Sequence, residues 1–117
     1  MDSDALLEFT CDKLEEFKAR DIKVLDVGQL TTIADYLIVA SGTSGRHVRS
    51  VADRLVEAAK AEGVAPLGVE GQDGSEWVLI DLNDIIVHVM QPTVREFYKL
   101  EDLWSVSAPA QADSPNS

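Results

Sequence analysis

"EWVLIDLNDIIVHVMQP", residues 76–92, alternates as two short β-strands around a polar turn do. An even-numbered loop centred on Asn83 and Asp84 sets Leu82 opposite Ile85, Ile80 opposite Val87 and Val78 opposite Val89. Those six aliphatic side chains then share one face, which is core. Successive side chains point to opposite faces, so Trp77, Leu79, Asp81, Ile86, His88 and Met90 must share the other. That second face is too apolar for solvent and too polar for an ordinary core. Two readings stand. It is a protein contact surface, or the helical segment after it folds back as a roof, with Tyr98 and Trp104 covering it and His88 satisfied by a neighbour.

The segments around this hairpin supply the rest of an α/β domain. Residues 3–20 have helical periodicity: Leu6, Leu7, Thr10, Leu14 and Phe17 form one stripe, with Ser3 as N-cap and Asp4 at the positive helix end. "IKVLDV" (22–27) reads as a strand that Gly28 punctuates, and "YLIVA" (36–40) as a strand covered on both faces. Residues 44–62 form a second helix with Val48, Val51, Ala52, Leu55 and Ala59 inward, stopped by Gly63. Residues 65–76, with three glycines and a proline, read as an irregular loop. "TVREFYKLEDLW" (93–104) reads as a third helix, with Thr93 and Glu96 as a capping box. The order is α-β-β-α-β-β-α: one α/β domain over 1–105, a small mixed β-sheet flanked by helices, with a tail at 106–117 expected to be disordered.

Composition narrows the function. A chain of 117 residues, 45% hydrophobic and 26% charged, holds an ordinary core without metal or disulfide. Cys11 is the only cysteine, so no intrachain disulfide forms, and its place on an apolar helix side favours a buried thiol over a nucleophile. The expected setting is a reducing cytoplasm. No apolar run reaches membrane-span length, the acidic "MDSDALLEF" does not read as a signal peptide, and no long repeat is visible. Net charge is −11 and uneven. From residue 61 onward, ten acidic side chains (Glu62, Glu70, Asp73, Glu76, Asp81, Asp84, Glu96, Glu101, Asp102, Asp113) face only Arg95 and Lys99. Direct reading of a nucleic-acid backbone is disfavoured, because it requires Lys and Arg to displace counterions. A basic protein partner fits this charge, and so does acidity that serves solubility alone.

"ASGTSGRHV" (40–48) joins a strand to a helix through a Gly/Ser/Thr turn, the ingredients of a phosphate cradle. It lacks the Gly-Lys-Ser/Thr of a Walker loop and the third glycine of a dinucleotide loop. Nucleotidyltransferases pair such a turn with Asp-x-Asp on one strand; here Asp81 and Asp84 are three apart and the hairpin turn interrupts them. The turn therefore reads first as a cap for the helix through Thr43 or Ser44, and second as a weak anion site at Ser44 and Arg46. His47 beside it reads as an exposed histidine, and Asp35 as a strand-end aspartate. Two histidines and one cysteine make no zinc set, and there is no nucleophile elbow, so no catalytic residue, metal or cofactor is assigned.

Three stretches in register, "DYLIVASGTSGRHVRSVAD", "EGQDGSEWVLIDLNDIIVHVM" and "REFYKLEDLW", resemble the ribosomal silencing factor (Iojap-related) family from about Leu6 to Trp104. The resemblance implies a fold like that of nucleotidyltransferases without their catalytic carboxylates, and no enzyme activity. It implies a translational repressor that binds the large ribosomal subunit through its fourteenth protein, sterically blocks joining of the small subunit when nutrients are scarce, and is a homodimer when free. On this reading Trp77 is an apolar anchor ringed by Leu79, Ile86 and Met90. Asp81, Asp84 and Glu101 pair with basic partner residues, and His88, Tyr98 and Trp104 flank the patch. Asp35 and Tyr36 lie in a matching motif and either touch the partner or brace the sheet. Two other functions stay open: a nucleotidyltransferase-like enzyme using the Gly42–Gly45 turn, and a homodimeric adaptor unrelated to ribosomes.

Overall fold

In the computed structural model, which describes residues 1–102, the elements run α1 (Ser3–Glu16), β1 (Arg20–Asp26), β2 (Tyr36–Ser41), α2 (Gly45–Ala61), β3 (Gly68–Glu70), β4 (Trp77–Asp81), β5 (Ile85–Met90) and α3 (Pro92–Tyr98). The expected tail at 106–117 and Trp104 lie outside the described residues. The five strands form one mixed sheet in the order β1-β2-β5-β4-β3. Its centre is the parallel pair β2 and β5, where Ile38 faces Val87 and Ala40 faces Val89; the other neighbours are antiparallel. The hairpin register is the one its aliphatic pattern requires, with Val78 opposite Val89 and Ile80 opposite Val87. All six aliphatics of that face, Leu82 and Ile85 included, are buried.

Helices α1 and α2 cover one face of the sheet, where Leu6, Leu14, Val48, Val51 and Leu55 pack on Ile38, Val78, Ile80 and Val87. Two polar ties fix α1 against the sheet. The Tyr36 hydroxyl donates to Asp4 at 3.0 Å and the Ser3 hydroxyl to Asp35 at 2.6 Å. Asp35 and Tyr36 therefore brace α1. The Asp4 carboxylate that accepts its proton holds the Tyr36 phenol above its ordinary pKa. Cys11 is half-buried, and burial, followed by Asp12 and Glu15, pushes its thiol up, as suits a packing residue rather than a nucleophile.

Several local expectations are corrected. Asp2, not Ser3, caps α1 by accepting from the Ala5 amide. The helix stops at Glu16 because Lys18 turns left-handed and the Ala19 amide returns to the Leu14 carbonyl, which frees Arg20 to begin β1. Within the expected loop at 65–76, Gly68–Glu70 pairs with β4 as a fifth strand. Gln91 precedes α3 without a side-chain cap and Pro92 opens it, so Thr93 and Glu96 make no capping box.

Thr10 is fully buried in the stripe of α1, and its hydroxyl has no hydrogen-bond partner among the described residues. Thr10→Val replaces that hydroxyl with a methyl of the same shape and is expected to stabilise the fold by about 1 kcal/mol in urea unfolding. A lower unfolding midpoint for the variant contradicts this packing.

Candidate docking surface

The opposite face of the sheet carries a smaller cluster, built on Val27, Leu37, Val39 and Met90. Its only helical cover among the described residues is α3, seven residues long with none fully buried. One half is closed by aromatic rings. The Trp77 indole N–H donates to His88 Nδ1 at 2.9 Å. An indole nitrogen only donates, so the imidazole is neutral and carries its proton on Nε2. Tyr98 lies tilted over Trp77 with ring centroids 5.0 Å apart, and Phe97 meets Tyr98 edge-on at 4.9 Å. Burial lowers the His88 pKa from 6.5 to about 4. The expected roof is present over Trp77, and its outer side is exposed, Phe97 by 79% and Tyr98 by 57%.

Among the described residues the other half is open. Val27, Ile33, Leu37, Leu79, Ile86 and Leu100 line an apolar groove of about 190 Å³ that His88 also borders. Ile33 stands 70% exposed at its lip. Asp81 sits half-buried at the hairpin end of this face, where its Oδ1 accepts the Asn83 amide at 2.8 Å and shapes the turn. The Asp84 carbonyl accepts the amides of Asp35 and Tyr36. The two aspartates are separated by the turn and do not share a strand face. Among the described residues no three His, Cys, Asp or Glu side chains come together as a metal site.

Four assignments are corrected by burial and pairing. Met90 is 0% exposed and can only support the surface from below. His88 is buried and already bonded to Trp77, so its part is internal. Glu101 is held by Arg95 at 2.9 Å rather than projecting as a free acid. Trp77 is half-buried, a base for Tyr98 more than a free anchor.

At the glycine turn, Ser44 caps α2 by accepting from the His47 amide at 3.1 Å, and Arg46 is exposed. A Cβ on Gly42 would lie 2.7 Å from Val48, so this glycine serves close packing. His47 is not the expected exposed histidine. Its Nδ1 accepts the Thr43 amide at 2.9 Å, so Nε2 is the nitrogen that donates to the Phe17 carbonyl at 3.1 Å. It ties the start of α2 to the end of α1.

A family model described as "Ribosomal silencing factor during starvation" matches residues 1–117. The chain belongs to that family. The ribosomal silencing factor RsfS of Chromobacterium violaceum is 38% identical over 112 residues, covering 96% of this chain and 92% of that one. A crystal structure of a protein from the same organism superimposes with a TM-score of 0.87 at 39% identity, covering 90% of this chain and 88% of its own. The mouse protein named "Mitochondrial assembly of ribosomal large subunit protein 1" is 34% identical over 96 residues, covering 80% of this chain and 42% of its own. The family is thus one of ribosomal regulators, on a mixed α/β fold.

Ile33 and Phe97 escaped the reading of the sequence. Their signals are a lone isoleucine in the polar stretch between two strands, and adjacent aromatics on one helix. Neighbours on a helix stand about 100° apart, so Phe97 and Tyr98 cannot both turn inward.

Stability should depend on pH through His88. Between pH 6.5 and about 4 the unfolded chain binds a proton that the folded chain excludes, so stability falls as pH drops through that window. The full span corresponds to about 3 kcal/mol. His88→Gln keeps an acceptor for the indole and should flatten this part of the profile in urea titrations at about pH 7 and 5. Equal losses in both proteins would assign the effect to other groups.

Proposed function

We propose that the protein is a translational repressor, not an enzyme, that binds the large ribosomal subunit through its fourteenth protein and sterically blocks joining of the small subunit. The observation that carries this is the half-open second face: an apolar groove and an exposed aromatic pair on a sheet whose other face is closed by two helices. Family membership supplies the ribosomal setting. Leu79, Ile86, Ile33 and the outer sides of Tyr98 and Phe97 supply apolar contact. Asp81 and Asp84 supply negative charge beside it, complementary to a basic protein amid ribosomal RNA. The excess of acid after residue 61 repels bare RNA and favours the protein component. Repression needs no chemistry: a folded domain fills volume that the small subunit requires. The site of action is the cytoplasm, and scarcity of nutrients is the condition for it.

We also infer that two copies pair through this face when the ribosome is absent, since pairing covers the same apolar surface. Co-sedimentation with isolated large subunits tests the main reading, with small subunits added afterwards to score joining. The wild type should sediment and suppress joining. Ile33→Asp, which places a charge on the groove lip, should weaken binding about tenfold or more. Asp81→Asn keeps the turn bond and removes the charge, so it should lower the association rate with a reduced salt dependence. Unchanged binding by both variants would put the contact elsewhere on the molecule.

A further inference from the structure

The strap that roofs Trp77 has little apolar hold of its own. Helix α3 has seven residues, too few to persist alone, and among the described residues of the strap only Val94 and the following Leu100 join the cluster beneath it. After Tyr98 the chain kinks at Lys99, which adopts left-handed φ 49° and ψ 48°, a conformation a side chain with a Cβ resists. Residues 100–102 then turn helical again, with the Asp102 amide bonded to the Lys99 carbonyl at 3.1 Å.

One guanidinium spans this kink. Arg95 Nε donates to Glu101 Oε2 at 2.9 Å, and Arg95 Nη1 donates to Ser41 Oγ at 2.9 Å. Ser41 ends the central strand β2 and is buried, and the ion pair is itself mostly buried, its side chains 12% and 17% exposed. Arg95 therefore joins three parts of the chain: the sheet end at Ser41, the helix before the kink and the segment after it. The first link keeps α3 down, with Tyr98 over Trp77. The second keeps Leu100 in the wall of the groove. Only a planar fork with several fixed donors makes both links at once; the single ammonium of lysine does not reproduce it.

We propose that Arg95 is a positioning residue that sets the shape of the second face, by clamping the 92–102 strap to Ser41 and Glu101. Its part in docking rests on the repressor reading given above; its part as a clamp does not. Screening by salt is weak for a pair this buried, so the clamp holds at ionic strengths that suppress surface pairs.

The test uses the full chain carrying Trp104→Phe, so that Trp77 is the only indole. Acrylamide quenching of Trp77 is compared across Arg95→Met, Arg95→Lys, Glu101→Gln and Ser41→Ala, with far-UV circular dichroism as the control for the sheet and the two long helices. Arg95→Met should raise the quenching constant about twofold or more while the far-UV spectrum is retained. Arg95→Lys should resemble Arg95→Met, and the two partner variants should fall between them and the parent. If Arg95→Met does not fold, Glu101→Gln and Ser41→Ala carry the same comparison. Quenching unchanged from the parent in the folded variants overturns the clamp. Large-subunit sedimentation uses the same substitutions in the wild-type chain, with Trp104 in place, and the variants with loosened Trp77 should bind at least about tenfold more weakly. A wild-type chain that fails to sediment, while quenching in the single-indole chain responds to Arg95→Met, defeats the repressor reading and leaves the clamp standing.

Discussion

Strands β2 and β5 pair in parallel at the middle of the sheet, and apart from Ser41 and His88 the buried residues on both sides of both strands are apolar. Everything else in the molecule answers to that pairing. A central strand with two apolar faces needs two roofs, because bare aliphatic surface costs roughly 25 cal/mol per Å² in water. On one side the chain supplies α1 and α2, whose inward residues pack over the main core. On the other, among the described residues, it supplies only the short α3 and the few residues after it. The imbalance between these roofs leaves an apolar face half covered.

What the short roof does cover, it covers with polar precision. The Trp77 to His88 bond satisfies the indole and fixes the imidazole tautomer, so a histidine sits in an apolar cluster without an unpaired Nδ1. Tyr98 rests on the indole. Arg95 closes the far end by holding Ser41 and Glu101 together. These contacts hold a stiff base beneath exposed rings and an open groove. A surface already in shape loses less entropy on docking, which favours recognition of a folded partner.

The core-forming strands were legible because their signal is strong and local. Six aliphatics at alternate positions around "LND" allow one register, and the structure has it. The third strand was not, since Gly68, Val69 and Glu70 give no alternation to read and take their conformation from β4 alongside. Helix ends moved for similar reasons: the left-handed Lys18 ends α1 by a backbone choice that a lysine does not announce. In the second face, the membership of Trp77, Leu79, Asp81, Ile86 and His88 followed from parity alone. Which of them stay accessible depended on the fold of 92–102, and alternation says nothing about that. Met90 and His88 are covered, Glu101 is paired, and Ile33 and Phe97 stand out instead.

The central claim is that the half-open face of the sheet, not the helical face, meets the large ribosomal subunit. Amide hydrogen exchange of the chain, free and bound to purified large subunits, tests it most directly. The account predicts added protection in peptides covering 27–35 and 91–102, with α1 and the outer side of α2 exchanging as in the free chain. Protection confined to α1 and α2, with 27–35 and 91–102 unchanged, would contradict it.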